Sequence, residues 1–252
     1  MKKIVPVIHN KIWGYEIWLV SSLKGYETKF EDNSLVKNAP LIKIIHAKEP
    51  LSVQVHPDDT LAKEIENQEN GKTETWFVLN CEKNSELVLG LSDYRNKIFQ
   101  QKLKENNLVD ILNVVKAKKS HFYNIPAGLV HGLGTPNNAN ITVIEVQQPS
   151  DTTYRLYDYK RVDKNNQMRE IHIDKALKCV KDLDYTAELK NHNEDIYYQN
   201  QFYKCELILN SKVAEENGWA IVYENDSYFA YEVNCGETLP NQAIFFVSWT
   251  KN

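Results

Sequence analysis

Short segments rich in β-branched and aromatic residues recur along most of the chain, and turn residues stand between many of them. Residues 41–46, 51–56, 75–79, 86–89, 121–125 and 141–147 are of this kind, with Pro40, Pro50, Pro57-Asp58-Asp59, Asn70-Gly71, Gly90, Pro126 and Gly128 as the punctuation. Such side chains favour extended backbone, and the intervening residues interrupt it, so the pattern predicts many short strands. Strands of this length must bury one face against another sheet. The fold is thereby confined to a sandwich or barrel, such as a jelly roll.

Three stretches carry a helical pattern instead. Residues 59–69 follow a Pro-Asp-Asp start signal and set Leu61, Ile65 and Gln68 on adjacent turns. Residues 98–115 space Ile98, Leu103, Leu108, Ile111 and Leu112 like one or two amphipathic helices, and residues 173–183 place Ala176, Leu177 and Val180 on one side. The third helix divides the chain. Strand-like segments resume after it at 195–209, 219–224, 228–233 and 243–249. The expected organisation is a catalytic domain with helical insertions over 1–170, then a linker helix and a small β domain over 171–252.

At 252 residues the chain buries a core large enough to need no cross-link, and Cys81, Cys179, Cys205 and Cys235 show no paired spacing. Reduced thiols are expected. The opening Met1–His9 stretch is too short and too interrupted for a signal peptide, and no apolar run approaches the roughly 18 residues of a membrane span. A formal charge of −4 argues against a generally basic nucleic-acid binder. A cytoplasmic protein with neither membrane nor nucleic-acid partner is expected.

Chemistry concentrates in four places. On a strand, Ser52, Gln54 and His56 share one face while Val53 and Val55 share the other. Lys72 and Glu74 alternate onto one face just before the apolar run from Trp76. The Pro126-Ala127-Gly128-x-x-His131 turn delivers a second histidine at the start of a strand. Each pattern alone suits an ordinary solvated face. Together they offer two imidazoles, one carboxylate and one weak amide donor, and two histidines with a carboxylate recur as a catalytic zinc set. The remaining histidines, His9, His46, His121, His172 and His192, lack such company. In the fourth place Glu145 and Gln147 share a strand face, and Asp151, Arg155 and Arg161 follow in a polar, aromatic segment. With Lys72, the two arginines are candidate partners for an anionic substrate, because guanidinium matches phosphate geometry.

These segments, with Trp13-Gly14, Glu16, Trp18 and Ser150-Asp151-Thr152-Thr153-Tyr154-Arg155, resemble the type I mannose-6-phosphate isomerases over about residues 10–180. The resemblance implies a mainly β fold: a cupin jelly-roll barrel with a few inserted helices, and a smaller C-terminal β region as a reduced second cupin. It implies one zinc ion on Gln54, His56, Glu74 and His131. It places the active-site arginine at Arg155, and substrate contact or proton transfer at Ser52, Lys72, Glu145, Asp151 and Arg161. The reaction implied is interconversion of mannose 6-phosphate and fructose 6-phosphate through a cis-enediol, with Lys72 or Glu145 moving the proton and Arg161 and Ser52 gripping the phosphate. A monomer or homodimer is expected. The alternatives are a noncatalytic sugar-phosphate- or metal-binding cupin and an iron-dependent cupin oxygenase; Gln54 and the basic cluster speak against the latter.

Overall fold

The computed structural model describes residues 1–93, 96–105, 107–162, 166–186, 190–192 and 195–249. Among these the fold is mainly β, with three α-helices and three antiparallel sheets. The six-stranded sheet runs in the order Phe122–Ile125, Glu74–Cys81, Ile141–Gln147, Leu41–Ala47, Gly14–Val20, Val7–Lys11. The five-stranded sheet runs Tyr154–Tyr157, Val53–Val55, His131–Leu133, Glu86–Leu91, Leu112–Lys116. The eight-stranded sheet holds the C-terminal strands and also Lys2–Val5 and Lys29–Phe30 from the start of the chain. Lys2–Val5 pairs there with Ser227–Val233.

The sequence pattern suggested a closed barrel. Among the described residues no ladder joins the edges of the six- and five-stranded sheets, so they remain separate, open sheets. The edge strand Phe122–Ile125 ends at Pro126, which has no N–H with which to extend a ladder.

Strand alternation sorts the side chains of the six-stranded sheet. Ile42, Ile44, Phe77, Ile144 and Val146 join one cluster with Tyr203, Trp219, Ile221 and Phe245 of the eight-stranded sheet. Their sequence neighbours Ile45, Trp76, Val78 and Val143 point the other way, into a cluster shared with Leu87, Leu89 and Leu133 of the five-stranded sheet. Lys43, Glu74 and Glu145 lie in step with this second set. The period of two that buries the core therefore also aims these charged groups at the space between the sheets. On the five-stranded sheet, Val53, Val55, Tyr154 and Leu156 form a third cluster beneath the helices, which leaves Gln54 and Arg155 on the opposite face.

Phe245 is 1% exposed and packs its ring 5.4 Å from Phe77 and 5.8 Å from Phe122, joining two sheets. Phe245→Ala is expected to cost about 3–5 kcal/mol in stability. Urea denaturation checks this: the midpoint should fall with little change of slope.

All three helical expectations need correction. The first helix covers Asp59–Glu66, capped by Asp58 at its start and closed by Asn67 in the left-handed region at φ 53°. Gln68 therefore lies outside it, and its side chain accepts a hydrogen bond from Thr152 Oγ1 at 2.8 Å. Of residues 98–115, only part is helical: Asn96–Lys104 is an α-helix and Leu108–Ile111 one turn of 3-10 helix. From Leu112 the chain becomes a strand paired with Glu86–Leu91, where Val114 and Val115 suit a pleated surface better than a helix. The third helix is shorter than its pattern, at Ile173–Cys179. All four cysteines are unpaired.

Candidate active site

Two tight turns deliver the central residues. Gly71 packs so closely on the preceding turn that a Cβ would sit 2.4 Å from the Asp58 carbonyl carbon, and its N–H donates to Asp59 Oδ1 at 2.7 Å. Lys72 and Glu74 follow at once. Gly128, at φ +101°, lets the Pro126 turn fold back, so that the chain enters the next strand at His131.

His56, Glu74 and His131 converge, with each ligand-capable atom within 4.8 Å of the others. They are 1%, 0% and 0% exposed. Glu74 Oε1 lies 3.3 Å from His56 Nε2, and Oε2 lies 3.6 Å from His131 Nε2. Each histidine has Nδ1 2.9 Å from a backbone carbonyl, of Thr152 and of Leu129 respectively. A carbonyl only accepts, so Nδ1 carries the proton and Nε2 presents a lone pair. Burial, and then the Lys72 charge, lowers His56 to about 3, and burial lowers His131 as well. Both rings are neutral at physiological pH, the form that ligates a metal. Burial opposes ionisation of Glu74, but the Lys72 charge beside it outweighs burial and holds the carboxyl well below the usual range.

The donor set fits zinc. Tetrahedral donors about 2.1 Å from a zinc ion are roughly 3.4 Å from one another, close to the two Glu74–histidine separations of 3.3 and 3.6 Å. Both Glu74 oxygens are buried and accept no well-formed hydrogen bond among the described residues, although the Lys72 ammonium lies 2.8 Å from Oε1. The carboxylate thus keeps acceptor capacity that the Lys72 ion pair does not use, beside two ring nitrogens able to share a cation with it. Gln54 is adjacent, with Nε2 3.3 Å from His131 Nε2 and Oε1 accepting from Ser52 Oγ at 3.2 Å. A half-turn of the amide would exchange its oxygen and nitrogen.

A polar cavity of about 360 Å³ opens beside this set, lined by Ser52, Gln54, Lys72, Glu145, Asp151 and Arg155 among others. Glu145 is fixed by Trp76 Nε1, which donates to Oε2 at 3.0 Å, and by Lys43 Nζ, which donates to Oε1 at 2.8 Å. Burial, and then the charge of Glu74, raises Glu145 above its ordinary value. Arg155 donates through Nη1 to the Glu170 carbonyl at 2.7 Å, while its Nε is buried without a partner among the described residues. Asp151 is exposed. Nine of the ten site residues expected from sequence thus line the cavity or lie in the metal set.

Arg161 is the tenth, and it is not among the cavity-lining residues. It bonds to Asp158 and to the Pro50 carbonyl. Lys43 and Arg169 line the cavity and were missed. Lys43 had a readable signal, a lysine between the apolar residues of a fully extended run. Arg169 had none. Of the other histidines, His9 packs on Trp18, His46 contacts Thr142, His121 contacts the Lys119 carbonyl, and His172 accepts from the Arg155 backbone N–H. The side chain of His192 lies outside the described residues.

No family model matches the chain. A mannose-6-phosphate isomerase of Bacillus subtilis is 37% identical over 156 residues, covering 62% of this chain and 48% of that protein. The mannose-6-phosphate isomerase of Streptococcus mutans is 36% identical over 174 residues, covering 69% of this chain and 53% of that protein. The chain is homologous to the bacterial type I mannose-6-phosphate isomerases. The chain spans about half the length of these curated relatives. Its fold is also that of a crystal structure of the mannose 6-phosphate isomerase from Bacillus subtilis, with a TM-score of 0.74 at 24% identity, over 99% of this chain and 96% of that one. No helix among the homologue's described residues is long and apolar enough to cross a membrane.

Proposed function

We propose that the chain is a zinc-dependent aldose–ketose isomerase interconverting D-mannose 6-phosphate and D-fructose 6-phosphate. The observation that carries this reading is the convergence of two neutral imidazole lone pairs and the buried Glu74 carboxylate at the wall of a polar, cation-lined cavity. His56, Glu74 and His131 hold one zinc ion, with Gln54 as the weak fourth donor. When bound, the ion supplies Lewis-acid charge beside the sugar oxygens.

The chain's own residues do the rest. Glu145 takes the proton from C2 while O1 gains one, giving the cis-enediol; O2 then loses a proton as C1 gains one. Its upward pKa shift brings it toward the range that suits a base near neutral pH. Lys72 sets a cation beside Glu74, and Arg155 stabilises the charge that develops on the enediolate. Ser52 and Asp151 orient the sugar hydroxyls. We further propose that residues 1–170 form a catalytic cupin centred on the six- and five-stranded sheets, with Lys2–Val5 and Lys29–Phe30 joining the eight-stranded sheet, and that residues 171–252 form a linker helix and the reduced second cupin, in a cytoplasmic monomer or homodimer.

Glu145→Gln tests the proton step. The zinc-loaded variant should lose about 10²–10⁴-fold in kcat, and solvent deuterium should no longer enter the product. Retained exchange in Glu145→Gln, with loss in Lys72→Met, would move the role to Lys72. The alternative reading is a sugar-phosphate- or metal-binding protein that does not turn over. Tight fructose 6-phosphate binding by a folded, zinc-loaded protein without conversion would favour it.

A further inference from the structure

We propose that Arg169, held in place by Asp158, is the cation that grips the substrate's phosphate, an inference that rests on the sugar-phosphate reading of the cavity. Arg169 lines the cavity with Arg155, whereas Arg161 does not. The segment that carries it is docked on the strand that carries Arg155: the His172 N–H donates to the Arg155 carbonyl at 2.8 Å, and Arg155 Nη1 donates to the Glu170 carbonyl. Two guanidiniums are thereby brought to one wall.

The hydrogen bonding of Arg169 leaves it able to take an anion. Nε donates to Asp158 Oδ2 at 2.7 Å and Nη2 to Oδ1 at 2.5 Å, a side-on fork that fixes the plane of the group. Among the described residues Nη1 has no acceptor, and the side chain is 29% exposed. Arg161 is consumed differently. It spends Nη2 and Nε on the Asp158 carboxylate and carbonyl, and Nη1 on the Pro50 carbonyl at 2.5 Å. Each of its three nitrogens therefore already has an acceptor, whereas Arg169 keeps Nη1 unspent among the described residues. The role of Arg161 is to help pin Asp158, which is 4% exposed.

Arg161 and Arg169 pair with the Asp158 carboxylate, and Arg155 stands near both, with Glu170 as a second nearby acid. A phosphate ester carries about −1.5 to −2 at pH 7. Burial, and then the like charge of Arg169, lowers Arg155 from its ordinary value, a tension that a bound dianion relieves. Asp158 acts through Arg169 and is a positioning residue.

Calorimetry on the zinc-loaded protein tests this with fructose 6-phosphate, fructose and inorganic phosphate as probes. The readout is the preference for the phosphorylated sugar over the free one, which a merely structural defect would not change selectively. Arg169→Gln should reduce that preference about tenfold or more, as for loss of a charged hydrogen-bonding partner, and weaken inorganic phosphate in parallel. Arg161→Gln should leave it within about threefold. Asp158→Asn should reduce it in part, since Arg169 loses its fork. If Arg169→Gln fails to fold, Arg169→Lys serves: it keeps the charge, cannot make the fork, and should still lose preference. An unchanged preference in a folded Arg169 variant, loss confined to Arg161→Gln, or no preference in the wild type would each overturn the proposal. Arg169-dependent phosphate binding without conversion of mannose 6-phosphate would leave it standing while removing the isomerase reading.

Discussion

Glu74→Gln should abolish zinc retention and, with it, the proposed isomerase turnover. Glu74 is the one anion in a donor set otherwise made of neutral imidazoles and an amide, so its removal leaves a divalent ion with no compensating charge. Outer-shell changes at metal sites typically cost 10–100-fold in affinity or activity; loss of the charged ligand itself should exceed about 100-fold. The variant also strands the Lys72 ammonium, 7% exposed and 2.8 Å from the lost charge, and breaking such a buried pair costs about 3–5 kcal/mol. Metal content is therefore to be measured on the folded fraction, by elemental analysis after dialysis alongside circular dichroism. A folded Glu74→Gln protein that keeps one zinc per chain would refute the assignment of the metal centre.

Arg155→Ala should behave in the opposite way with respect to metal. The guanidinium lies outside the converging set, so zinc stays bound. Turnover should still fall about a hundredfold or more, as when a preorganised donor to a developing oxyanion is removed. The structure gives this role a basis. Nη1 anchors the side chain to the Glu170 carbonyl, and the buried Nε has no partner among the described residues, so part of the group is both positioned and unspent. Steady-state kinetics with matched zinc content decides it. Near-normal kcat in folded Arg155→Ala would remove Arg155 from the catalytic role.

Much of the site was legible because strand alternation is a local property. The order Ser52-Val53-Gln54-Val55-His56 already assigns two faces, and the structure puts the valines in the cluster under the helices and Gln54 and His56 at the metal set. Lys72 and Glu74 were readable in the same way. What escaped depends on distant partners. Arg161 follows Arg155 at a spacing that suggests a shared task, but Asp158 and Pro50 capture its guanidinium. Arg169 sits in no motif and reaches the cavity only because its segment docks beside the Arg155 strand. Pairing of Lys2–Val5 with Ser227–Val233 joins the two ends of the chain, and no local pattern announces it. Leu112 and Val115 fit a helical stripe and a strand equally well as short apolar runs, and pairing with Glu86–Leu91 settled the matter.

The most direct test of the account is conversion of mannose 6-phosphate to fructose 6-phosphate by the purified chain as isolated, after chelation, and after zinc is restored. Turnover that disappears with the metal and returns with zinc is the predicted result. A folded, zinc-loaded protein that forms no fructose 6-phosphate, or one whose turnover survives complete removal of the metal, would contradict it.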